Sequence, residues 1–137
     1  KIQAGDCDPK DFDESILKPA ELLEDEKGEY FLLPPYGYCL GVAMEHIKLP
    51  RDVTVVAVGK STYARSGILV NITPAEAAWQ GHLTLEISNC TGLFNRIYAN
   101  EGITQLLFYR GEPCETSYQD RKGKYQNQPY EVVYSQV

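Results

Sequence analysis

Val53-Thr54-Val55-Val56-Ala57-Val58 is branched at Cβ in five of its six positions and apolar in five. Such side chains favour a pleated strand, and a short apolar run of this kind reads as a strand buried on both faces. Turn residues fence it in, with Leu49-Pro50-Arg51-Asp52 before it and Gly59 after it. The same pattern repeats on either side. Tyr30–Leu33 ends at Pro34-Pro35 and Tyr38–Ile47 follows; beyond the central run come Ile68–Ile72, His82–Asn89, Phe94–Ala99 and Ile103–Tyr109. Short strands about 8–12 residues apart predict an all-β sandwich or barrel. No window of helical length keeps a 3.6-residue apolar period, and no internal repeat is visible.

The 137 residues fit one domain, residues 1–137. Apolar residues make up 43% and charged residues 23%, an ordinary globular balance. No apolar run approaches the ~18 residues of a membrane span, so no membrane partner is expected. Net charge is −6, and residues 1–28 hold most of it, with nine acids against four lysines. This balance argues against nonspecific nucleic-acid binding, which needs a basic footprint. Residues 1–28, broken by Pro9 and Pro19, read as an acidic, irregular lead-in with at most a short helix and a solvated surface. After Glu112-Pro113 the composition changes again. Residues 118–128 carry three cations against one acid. The segment 111–137 reads either as a mobile terminus or as a flap that brings Lys, Tyr and Gln to an anionic ligand. No secretory signal pattern is visible, and the first residue is Lys1, so a fragment, a processed chain or a trimmed one is expected, located in the cytoplasm.

Cysteine and histidine counts narrow the chemistry. Cys7, Cys39, Cys90 and Cys114 lie 32, 51 and 24 residues apart, and His46 and His82 are the two histidines. No C-x-x-C spacing occurs. No protein-held metal and no zinc site are therefore expected, and four free thiols are.

Two segments carry candidate chemistry. In His82-Leu83-Thr84-Leu85-Glu86-Ile87-Ser88, alternation puts Leu83, Leu85 and Ile87 on the core face and Thr84, Glu86 and Ser88 on the other. Glu86 is then either a solvent-facing strand residue or a carboxylate on the wall of a polar pocket, able to move protons. Gly59-Lys60-Ser61-Thr62-Tyr63-Ala64-Arg65-Ser66-Gly67 is a polar turn after the central strand. It is either a connection or a phosphate cradle of exposed N–H groups and cations. Its spacing is not that of a P-loop.

Together these segments resemble the core of dCTP deaminases of the dUTPase-like superfamily. The resemblance runs through Lys60–Arg65, Val70-Asn71-Ile72-Thr73-Pro74, Trp79-Gln80-Gly81-His82, Thr84-Leu85-Glu86 and Ile97-Tyr98-Ala99-Asn100-Glu101-Gly102. It continues through Gln105-Leu106-Leu107-Phe108, Cys114-Glu115-Thr116-Ser117-Tyr118 and Gly123-Lys124-Tyr125-Gln126-Asn127-Gln128. It is collinear over roughly residues 30–128. Two positions depart from the family pattern. The loop Thr73-Pro74-Ala75-Glu76-Ala77-Ala78-Trp79 stands where the subgroup usually reads Thr-Pro-Leu-Glu-Pro-Glu-Trp, and Asn127 stands where glycine is common. The family's N-terminal segment, with its helix and Ser-Tyr-Gly-Tyr-Asp-like strand, is not seen in this sequence.

The resemblance implies a distorted jelly-roll β-barrel of the dUTPase-like (β-clip) type, assembled as a homotrimer with active sites between subunits. It implies binding of dCTP and dUTP. Lys60, Ser61, Thr62, Tyr63, Ala64 and Arg65 would hold the triphosphate, with Ser61 and Arg65 also near the reacting base. Thr84, Leu85 and Glu86 would line the cytosine site, with Glu86 as the catalytic carboxylate. Gln105, Tyr118, Lys124 and Gln128 match positions that contact nucleotide, and the C-terminal segment would close over it. Magnesium would arrive on the triphosphate rather than in a protein cage. The implied reaction is zinc-independent deamination of dCTP to dUTP and ammonia, upstream of dUMP and dTTP. The chain agrees in lacking the H-x-E and P-C-x-x-C spacing of zinc deaminases. Two other readings stay open: a bifunctional enzyme that also hydrolyses dUTP, with Glu76 as a candidate to orient water, and a nonenzymatic nucleotide-binding protein on the same fold.

Overall fold

A computed structural model describes residues 7–136; residues 1–6 of the acidic lead-in and Val137 of the tail lie outside the described residues. Its strands are β1 Leu22–Asp25, β2 Gly28–Leu33, β3 Tyr38–Lys48, β4 Val53–Gly59, β5 Ile68–Asn71, β6 Gln80–Asn89, β7 Asn95–Tyr98 and β8 Thr104–Arg110. Among the described residues helix is confined to a 3₁₀ turn, Glu14–Ile16, and a single turn of α-helix, α1, Ser61–Arg65. The fold is all-β, as the spacing of apolar runs predicts. Three antiparallel sheets build it, ordered β1-β2-β7, β3-β6-β5 and β4-β8.

The seven runs read as strands become β2 to β8 with small shifts at their ends. Three local readings differ. Leu22–Asp25 lies in the stretch read as irregular, yet it pairs with β2 across the tight Glu26-Lys27 connection. Pairing supplies what its acidic sequence does not. The central run is buried at Val53 and Val55 but only partly elsewhere, so β4 is half-covered rather than enclosed on both faces. The polar 60–65 turn is helical: Ala64 N donates to Lys60 O at 2.9 Å.

The core fills the space between the sheets. Val55 and Ile68 are the most deeply enclosed large apolar residues, and Leu83, Leu85 and Ile87 enter from β6. An isolated antiparallel bridge ties Ala75 to Val55, with N···O distances of 2.9 Å both ways, and so draws the 73–79 loop onto β4. Trp79 plugs the end of that loop, where its Nε1 donates to Tyr125 O at 2.8 Å. The C-terminal segment is thereby anchored to the 73–79 loop.

Candidate active site

Burial along β6 alternates without a break from Gln80 to Asn89. The core takes Leu83, Leu85 and Ile87, and the outer face keeps Thr84, Glu86 and Ser88. Glu86 stands opposite Leu40 of β3 and Asn71 of β5. Its Oε2 accepts a hydrogen bond from Asn71 Nδ2 at 2.7 Å. Tyr38 shares this face, opposite Ser88. Burial pushes its hydroxyl pKa up, and the Glu86 charge adds to that push.

A second group gathers around α1. Lys60 is its N-cap, and Ser61, Thr62, Ala64 and Arg65 are exposed. Tyr63 turns the other way: it packs against the core and its hydroxyl accepts from Tyr98 N at 3.1 Å. Gln105 joins this group, because Val58 and Gln105 are cross-strand partners and Gln105 Nε2 donates to Gly59 O at 3.2 Å.

The tail forms the third group. Gly81 has φ +140°, and a Cβ there would come within 2.6 Å of Gln128 N. Glycine lets the tail lie against β6, where Asn127 N donates to Gln80 O at 2.9 Å and His82 N to Gln128 O at 3.0 Å. Gln128 Oε1 lies 3.5 Å from Thr84 Oγ1, which also accepts from Val133 N at 3.3 Å. Tyr118 is held by Ala77, whose carbonyl accepts Tyr118 N at 3.2 Å, and its own hydroxyl accepts Tyr125 N at 3.0 Å. Lys124 Nζ donates to Gln136 O at 2.8 Å. The segment that composition left between mobile terminus and flap is thus folded along the edge of the sheet.

Thr84 and Gln128 are brought together, as are Lys60–Arg65 and Gln105. Among the described residues no hydrogen bond or ion pair joins Ser61, Arg65 or Lys124 to Glu86. Leu85 points into the core, away from Glu86. A cavity of about 1220 Å³ opens on that inner side, lined by Leu83, Leu85 and Ile87 among others; the other candidate site residues do not line it. Glu76 pairs with Arg121 of the tail.

The model of the dCTP deaminase-like family matches residues 3–111. This chain belongs to the dCTP deaminase-like family. It is 52% identical to a dCTP deaminase of Acidobacterium capsulatum over 128 residues, 93% of this chain and 67% of that one. A dCTP deaminase of Alcanivorax borkumensis is 50% identical over the same share of this chain and 65% of its own length. For one of Helicobacter hepaticus the figures are 52%, 93% and 66%. The chain spans about two thirds of the length of these curated relatives.

Two features of this family member escaped the sequence reading. Asn71 was visible only as part of a motif, because its place opposite Glu86 depends on strand register. Arg51 sits in what reads as a plain turn, yet it donates to Cys114 O at 3.2 Å and Glu115 O at 3.0 Å and pairs with Asp120 at 2.8 Å. The Arg51 guanidinium and the Ser117 N–H hold the Asp120 carboxyl well below the usual carboxylate range. No sequence signal links residues so far apart.

Proposed function

We propose that this chain forms a dCTP deaminase, converting dCTP and water to dUTP and ammonia, in which Glu86 moves the protons. The observation that carries the reading is Glu86 itself: a carboxylate between two hydroxyl side chains on the outer face of β6, bonded at one oxygen, in a chain of this family.

Glu86 takes a proton from water as the water oxygen attacks C4 of the cytosine. It delivers that proton to N3, takes the second from the new C4 hydroxyl, and passes it to the amine, which leaves as ammonia when the C4–N bond breaks. One group serves as both base and acid, a task suited to a carboxylate that a bound nucleotide shields from water. Arg65 supplies positive charge near the reacting centre, and Ser61 helps place the base. Lys60, Ser61, Thr62, Ala64 and Arg65 bind the nucleotide with Gln105, Tyr118, Lys124 and Gln128, and Thr84 lines the base; the Tyr63 and Leu85 side chains face the core. The sequence lacks the H-x-E and P-C-x-x-C spacing of zinc deaminases, which supports a zinc-free route. Magnesium travels with the triphosphate.

Among the described residues no hydrogen bond or ion pair joins Ser61, Arg65 or Lys124 to Glu86 within one chain, which supports active sites shared between subunits of a homotrimer on a jelly-roll barrel. Leu107, Phe108 and Tyr109 of β8 add support, being 43%, 63% and 57% exposed in a continuous apolar run. Among the described residues no helix is long and apolar enough to cross a membrane. The enzyme works in the cytoplasm, and its dUTP feeds the route to dUMP and dTTP.

Incubating the purified protein with dCTP or dUTP and magnesium, then separating the products, tests this. dUTP and ammonia from dCTP are expected. Formation of dUMP would make the enzyme bifunctional. Nucleotide binding without turnover would leave a nonenzymatic binding protein.

A further inference from the structure

We propose that Asn71 is a positioning residue for the Glu86 carboxylate. The proposal rests on the reading of Glu86 as the group that moves protons.

Asn71 and Glu86 are direct cross-strand partners at the end of the β5–β6 pair. An ionised carboxylate only accepts hydrogen bonds, so the amide must present its N–H, and Nδ2 lies 2.7 Å from Oε2. That distance is typical of a charge-assisted bond. Tyr38 and Ser88 share the outer face, yet among the described residues neither hydrogen-bonds Glu86, and the remaining neighbours also leave the task to Asn71. Leu40, opposite on β3, has no donor. The Thr84 hydroxyl, two residues along β6, is engaged by Val133 N and faces Gln128. Among the described residues, Asn71 is the side chain that holds the carboxylate.

Asparagine is also a poor choice for a strand on propensity, and this one is exposed, so neither pairing nor core packing calls for it. Its bond explains it. A free glutamate side chain samples many rotamers. One bond to Oε2 restricts that freedom and leaves Oε1 to take and return the proton. General acid–base catalysis depends on such placement, and a shift of about 1 Å at a reacting group costs ~10²-fold.

The test measures kcat and KM for dCTP, with thermal midpoints, in the full chain carrying Asn71→Ala, Asn71→Asp, Asn71→Gln or Glu86→Gln, and in the Asn71→Ala/Glu86→Gln double variant. Asn71→Ala is expected to lower kcat by ~10- to 100-fold with KM within about threefold. Asn71→Asp cannot donate and brings a second negative charge, so it should fall at least as far. Asn71→Gln keeps the donor and should recover part of the loss. In the Glu86→Gln background, followed with high enzyme concentration and long incubation, Asn71→Ala should have no further effect, because its role runs through Glu86. A kcat within twofold of wild type for Asn71→Ala, or an undiminished extra loss in the double variant, would overturn the positioning role. The two readings separate cleanly. If Glu86→Gln keeps more than about a tenth of wild-type turnover, the role of Glu86 fails, and that of Asn71 with it. If Glu86→Gln is inactive and Asn71→Ala turns over normally, the Asn71 proposal alone fails.

Discussion

Single residues of α1, β6 and the tail have separable roles. Arg65 is exposed and engaged in no ion pair among the described residues, which leaves its charge available to a nucleotide. Arg65→Ala should weaken dCTP binding and slow turnover together, seen as a raised KM and a lowered kcat; an unchanged KM and kcat would remove Arg65 from the site. Leu85, next in sequence to Glu86, faces the core and is buried. Leu85→Ala should cost about 2–5 kcal/mol of stability, read by denaturant unfolding, through the cavity it leaves. Asp120 gives a pH signature. Its carboxyl is held low when folded, so its contribution is present above the ordinary carboxylate pKa of about 3.9 and fades as pH falls below it. The unfolding midpoint of Asp120→Asn should lie below that of wild type at neutral pH. The gap should narrow as pH drops from about 5 toward 2. A gap that stays constant would deny the Arg51–Asp120 pair that role.

At the scale of elements, much was legible because burial leaves a period. The alternation of β6 gave the right face to every residue from Leu83 to Ser88. The β-branched run at 53–58 located β4, although four of its six residues are only partly covered, since propensity cannot count the layers that pack on a strand. Leu22–Asp25 was not legible, because two leucines followed by three acids have no period and the strand exists through β2. The Asn71–Glu86 bond and the Arg51 contacts needed register and tail path, neither of which local sequence encodes. The tail is the element with most at stake. Gly81→Ala would drive a Cβ into Gln128 N and demand φ +140° of an alanine. The variant should release the tail from β6, read as faster proteolysis after Tyr118 together with weaker dCTP binding. Protection equal to wild type would mean that the tail does not depend on this approach.

At the scale of the whole molecule, the candidate nucleotide-binding residues come from β6, from α1 and β8, and from the tail, and the proposed trimer would complete the site between copies. A homotrimer of about 46 kDa is expected, three times the 15.4 kDa chain. Light scattering at micromolar concentration checks this, and a monomer would contradict it. The resemblance in the sequence pointed to the family and its strands; the trimer that it implies is a proposal about several copies, which local sequence does not encode. The central claim is that Glu86 carries the proton transfers of dCTP deamination. Its most direct test is the rate of ammonia release from dCTP and magnesium by wild type and Glu86→Gln, with nucleotide binding measured alongside. Expected are steady release by wild type and a loss of ~10²–10⁴-fold or more in Glu86→Gln with binding retained; turnover by Glu86→Gln above about a tenth of wild type would contradict it.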